Sequence, residues 1–176
     1  MYNKIDIEEK PLKKLLKKEV VFKTQNDEKN GIFVDMALEN QVFWPHNNFS
    51  PSEFVAYYFT EGCKNIPARD KIKPKTISHF ARIRYIFHNV TIDELKEIDE
   101  FIKLPTFESF LEKAHKIYHP GNPDTFAIAI TDEPIELPNP IEFKKHQENK
   151  LPPRILPTKK TTLSKLLTAK ELEDLV

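Results

Sequence analysis

Cysteine occurs once in these 176 residues, as Cys63, which rules out an internal disulfide and a metal site built from several thiolates, and suits a reducing compartment. Glycine is almost as scarce, with three residues, so there is no glycine-rich loop to cradle a phosphate. Net charge is missing too. The 27 basic and 27 acidic side chains cancel, and with a pI near 7.0 no global field draws the chain to nucleic acid or an acidic membrane; any such contact has to be local. No apolar run approaches the length that spans a bilayer, and charged residues occupy the N-terminus where a signal peptide carries its apolar segment. These absences predict a soluble, intracellular protein that does not insert into membranes.

What is present is enough apolar material for the core of a single domain: 39% hydrophobic residues, thirteen of them Phe. The apolar positions of residues 76–118 recur every three or four residues, the period of one buried helix face. Ile77, Phe80, Ile83 and Phe87 mark a first helix, and Ile92, Leu95, Ile98 and Ile102 a second. Phe107, Phe110, Leu111, Ala114, Ile117 and Tyr118 mark a third. Thr91 and Glu94 have the capping-box spacing, and Thr106 stands where it can cap the third helix. A fourth is expected from Ser50 and Pro51 to near Gly62, with Phe54, Val55, Tyr58 and Phe59 on its face. Strands are expected at 20–24 and 31–36, as a hairpin, and at 125–131.

The fold class this predicts is α+β. It has a small helical core of about four short helices and a small antiparallel sheet made by the N-terminal hairpin and the strand near 125–131. An extended proline-rich C-terminal arm follows and ends in a short helix. The chain divides accordingly into a basic amphipathic segment, 1–19; a compact domain, 20–131; a proline-rich arm near polyproline II, 132–160; and a terminal amphipathic helix, 161–176.

Beyond that arm, Leu163, Leu166, Leu167, Leu172 and Leu175 recur at helical spacing and are the candidate partner-binding residues. They predict a non-enzymatic adaptor or structural subunit of a larger assembly, reaching another protein or subunit through the arm and its leucine helix. The alternative partner is nucleic acid. Lys64, Arg69, Lys71, Lys73, Lys75 and Arg82 form a basic stretch able to neutralise phosphates. Major-groove recognition is excluded, because the second helix of a helix-turn-helix would carry Asp93, Glu94, Glu97, Asp99 and Glu100 toward the phosphates. Arg84, set among apolar neighbours, is expected to pair with an acidic residue.

A third reading is catalytic. Asp124 after Pro123, with Glu142 two residues before Lys144, resembles the PD-(D/E)xK motif of restriction-type nucleases over those few positions. The resemblance implies two carboxylates on adjacent strands holding magnesium while the lysine steadies a water. That family's core sheet needs more strands than the pattern predicts, so no catalytic residue is assigned. His115 and His119 stand four apart without a third ligand, and nothing in the sequence brings Cys63 to His46 or His79. No cofactor and no metal site are predicted.

Overall fold

Fifteen residues, Thr76–Val90, form one long strand on which the rest of the molecule is assembled. The structure is a computed structural model and describes residues 1–8, 17–25, 31–45, 49, 51–60, 63, 72–142 and 159–175. In chain order its elements are β1 (Asn3–Asp6), β2 (Lys18–Gln25), α1 (Ile32–Glu39), β3 (Val42–Phe43), β4 (Phe54–Phe59) and β5 (Thr76–Val90). A 3-10 turn (Asp93–Lys96), the one-turn α2 (Asp99–Ile102), α3 (Phe107–Ile117), β6 (Phe126–Thr131) and β7 (Ile135–Glu142) follow. The last are β8 (Lys160–Thr162), α4 (Leu163–Thr168) and a closing 3-10 turn (Leu172–Leu175).

The strands form an eight-stranded mixed sheet, β3-β6-β5-β4-β2-β8, with β1 and β7 also paired to β5. Through its first half β5 pairs with β4 and β7, and through its second with β6 and β1. The β2–β4 pairing is parallel.

The expected helix at 76–88 is therefore a strand, and the cause is visible in its register. Tyr57 and Tyr58 of β4 face His79 and Ile77, leaving Ser78 extra; Thr131 and Ile130 of β6 face Ile83 and Tyr85, leaving Arg84 extra. A third shift lies between Phe87 and Val90, where Asn89 takes a left-handed φ of 57°. Each bulge inserts one residue and reverses which face the following side chains take. Ile77 and Phe80 thus share one face, Ile83 and Ile86 the opposite one, and Phe87 and Val90 return to the first face in the other half of the strand, where they join a separate core. A strand with period two acquires apolar spacings of three, which copy a helix.

The faces serve three cores. Val21, Val55, Tyr57, Phe59, Ala81, Ile83, Ile86 and Ala129 join both halves of the sheet, with Val34 and Ala37 of α1 against them. On a second face Val20, Phe22, Ala56, Tyr58, Ile77 and Phe80 meet Leu166, Leu172 and Leu175. In a third core, Phe87, Ile128 and Ile130 meet Phe101 of α2 and Phe110 and Ala114 of α3. Each fully buried Phe, Ile or Leu here contributes about 1.5–3 kcal/mol of transfer free energy.

The fold class expected from the sequence is thus corrected: a mixed sheet, not a small helical core, organises the chain. Residues 54–59, expected as a helix, are the central strand β4, buried on both faces and so continuously apolar. Residues 31–36, expected as a strand, fall in α1 (Ile32–Glu39), entered through Gly31 at φ 75°. The second expected helix shrinks to a 3-10 turn and one turn of α2, although Glu94 Oε2 does accept from Thr91 N at 2.8 Å. The third stands as α3, without a side-chain cap from Thr106. Strands at 20–24 and 125–131 are present as β2 and β6, but β2 pairs with β4 and β8. Of the proline-rich arm, 135–142 is strand β7 along β5, and 143–158 lies outside the described residues, as do 9–16 of the basic N-terminal segment.

Between α1 and α3 lies a pH-sensitive contact. Asp35 Oδ1 is buried without a hydrogen-bond partner, while Lys113 Nζ bonds Asn40 Oδ1 at 2.8 Å and pairs with Glu39 at 3.2 Å. Burial first, and the Glu39 charge second, raise the Asp35 pKa above the ordinary carboxylate value, against a lowering by Lys113. The folded state then holds this proton to higher pH than the unfolded chain, so stability falls as pH rises from the ordinary value through the raised one. Asp35→Asn is expected to raise the urea midpoint at pH 7, with the gain vanishing as pH drops below the ordinary carboxylate value. A gain independent of pH would contradict this.

Candidate functional site

The C-terminal leucines are placed by the short α4, whose N-cap Thr162 accepts from Lys165 N at 3.0 Å, and by the turn after it, where Asp174 Oδ2 accepts from Lys170 N and Glu171 N. Those two bonds hold the Asp174 carboxyl below its usual pKa. Leu166, Leu172 and Leu175 are buried against the sheet, Leu163 is half-buried, and Leu167 is exposed. The adaptor function is corrected on this ground: the leucine helix is no free hook, because its apolar face already fills the groove over β2, β4 and β5.

The basic stretch is dispersed. Lys64, Arg69 and Lys71 lie outside the described residues. Lys73 pairs with Glu142, and Lys75 is exposed in a left-handed turn with a partner of its own. Arg82 turns inward, 3.6 Å from Glu53 Oε1, and its Nη2 donates to the Ile7 carbonyl at 3.3 Å. Arg84 pairs with Asp132 at 2.5 Å.

The nuclease-like carboxylates do not meet. Asp124 precedes β6, which pairs with the Val90 end of β5, whereas Glu142 sits opposite Thr76 at the other end. Fourteen residues of strand, about 45 Å if straight, separate those ends, so the constellation is corrected as well. Lys144 and His46 lie outside the described residues. His115 is half-buried and His119 exposed, and no group of three His, Cys, Asp or Glu among the described residues is placed to hold a metal ion. Cys63 is buried, its Sγ 3.4 Å from the Gln25 carbonyl. His79 is buried beside Ser78, with Oγ and Nδ1 2.8 Å apart. Among the described residues no helix is long and apolar enough to cross a membrane.

Two further features emerge from the packing. One is a cleft of about 170 Å³ lined by Ile5, Asp6, Ile7, Glu8, Glu19, Pro51, Ser52 and Glu53. The other is a strip of lysines where the C-terminal unit joins the sheet. Lys18 of β2 lies opposite Thr162 of β8, Val21 lies opposite Lys160, and the Lys165 amide is bound to Thr162. Lys17, Lys18, Lys159 and Lys165 are exposed and Lys160 is half-buried. Elsewhere Lys4 pairs with Glu100, Lys73 with Glu142 and Lys113 with Glu39; among the described residues no carboxylate pairs with a lysine of the strip. Sequence reasoning placed Lys17 and Lys18 in the basic N-terminal segment, 1–19, and assigned no site role to Lys159, Lys160 or Lys165.

No family model and no curated protein matches this chain. A similar solved structure is the crystal structure of ASCH from Zymomonas mobilis, 18% identical over 87% of this chain and 93% of that one, with a TM-score of 0.49. A likeness of that degree carries no functional argument.

Proposed function

We propose that this chain is a nucleic-acid-binding module that takes the phosphate backbone along the lysine strip of β2, β8 and α4. The observation that carries the reading is the placing of Lys18 and Lys160 close together along the β2–β8 ladder, with the exposed Lys17, Lys159 and Lys165 near them in the chain and no carboxylate paired with any of the five among the described residues. Lysine ammonium groups act on phosphate as point charges, each displacing condensed counterions. Among the described residues β2 and β8 offer no ring for base stacking: Phe22 of β2 is fully buried and β8 is Lys-Thr-Thr. Binding is therefore independent of sequence and requires no reacting group. An intracellular setting, where such polymers are found, also suits the lone buried thiol.

The same lysines guard an edge strand against pairing with another chain, and salt separates the two roles. Neutralising three to five phosphates gives a log–log salt slope of about −2.7 to −4.5 on duplex DNA. Anisotropy of a labelled 20-base-pair duplex, titrated between 50 and 200 mM salt, is expected to show such a slope. Lys18→Glu with Lys160→Glu should weaken binding by at least about tenfold at the lower salt. A flat salt response, or charge reversal without effect, rejects the proposal.

A further inference from the structure

The pairing of β8 with β2 sorts the lysines by face. Val20, in the second core, lies opposite Thr161, and Val21, in the first core, lies opposite Lys160. Successive side chains of a strand alternate, so Thr162 shares the face of Lys160. Lys18 lies opposite Thr162, because the register shift between Lys18 and Val20 takes it off the face of Val20. Lys18 and Lys160 therefore stand on either side of Thr162 on the first-core face. The chain then crosses over: α4 buries Leu166 in the second core and carries the exposed Lys165 on that side. β8 ends the strand order among the described residues, so positive charge stands on both flanks of one end of the sheet.

We infer that the polymer is a duplex met edge-on, with the backbone of one strand on Lys18 and Lys160 and that of the other on Lys165; this rests on the nucleic-acid reading above. A single backbone lying on one face reaches only the lysines of that face. Two rows of phosphate held at a fixed spacing reach both, and the grooves of a duplex are bordered by such rows. The spacing selects the groove. Packed layers stand about 10 Å apart, so charges on opposite sides of a strand-and-helix edge are too widely separated for the minor groove, about 6 Å across. They suit the rows that border the major groove of B-form DNA, about 12 Å across. The contacts go to phosphate on both sides of that groove and read no base.

Reversing charge one face at a time tests this in the intact protein, with the labelled duplex and with one of its strands alone. At about 50 mM salt the duplex is expected to bind at least about tenfold tighter than the single strand, which takes only the two lysines of the first-core face. Lys165→Glu should weaken duplex binding severalfold and reduce the log–log salt slope by about 0.9, the contribution of one phosphate, while leaving the affinity for the single strand unchanged. Lys116→Glu, an equal change of net charge at an exposed position of α3, should leave both unchanged. If Lys18→Glu with Lys160→Glu weakens duplex binding and Lys165→Glu does not, the duplex lies on the first-core face alone; the edge-on arrangement is then wrong and the binding surface stands. Equal affinity for duplex and single strand also rejects the arrangement. If the duplex does not bind in a salt-dependent way, the binding surface itself is wrong and the arrangement goes with it.

Discussion

Phe87→Ala is expected to remove a large part of the stability of the whole domain. Phe87 is fully buried on β5, and its ring centroid lies 5.2 Å from Phe101 of α2, 5.9 Å from Tyr2 and 6.3 Å from Tyr85. One truncation therefore opens a void where the N-terminal segment, the long strand and the helical cover meet. Deleting a buried phenyl ring costs about 3–5 kcal/mol, from lost transfer free energy plus the cavity left behind. Domains of this size hold about 5–15 kcal/mol in total, so the loss takes from about a fifth to all of it. The urea midpoint should fall accordingly with little change in slope. Ile102→Ala is the control, since that side chain is 45% exposed on the same α2. A surface truncation of this kind moves stability by about 0.5 kcal/mol. Equal losses in the two variants would mean that β5 is not the spine of the fold.

The same strand explains what was legible in the sequence and what was not. Ile77, Phe80, Ile83 and Phe87 were correctly readable as core, because burial follows side-chain chemistry whatever the backbone does. Their secondary structure was not, because three bulges stretch a period of two into spacings of three. In β4 the obstacle was different. Phe54–Phe59 packs both faces, Val55, Tyr57 and Phe59 to one core and Ala56 and Tyr58 to another, so no alternation survives to mark a strand. The helix α3 was legible because its buried Phe110 and Ala114 are one turn apart, and the exposed Glu108 and Lys116 stand at its ends. The lysine strip was illegible for a reason of topology. Residues 17–18 and 159–160 are brought together by β8 pairing with β2, a long-range contact that no local pattern encodes.

Arg82→Met is expected to be nearly as damaging, and its partner shows why. The Arg82 and Glu53 side chains are 10% and 7% exposed, with Nε 3.6 Å from Oε1, at the point where β5 leaves β4 and turns to β6. The backbone reinforces the crossing: Ile83 N donates to the Glu53 carbonyl at 2.7 Å, and Asp132 N donates to the Arg82 carbonyl at 2.8 Å. Taking away the guanidinium removes the cation 3.6 Å from the enclosed Glu53 carboxylate, and breaking a buried pair in this way costs about 3–5 kcal/mol. The pair itself is worth much less than that, since Arg82 Nε and Nη1 are buried without hydrogen-bond acceptors and carry their own desolvation cost. Arg82→Met combined with Glu53→Gln should therefore be more stable than Arg82→Met alone, despite removing more of the native chemistry. A double-mutant cycle read by urea unfolding decides it. Additive losses would show that the two charges act independently, and that the crossing of the sheet halves is held by the backbone bonds and the apolar cores without them.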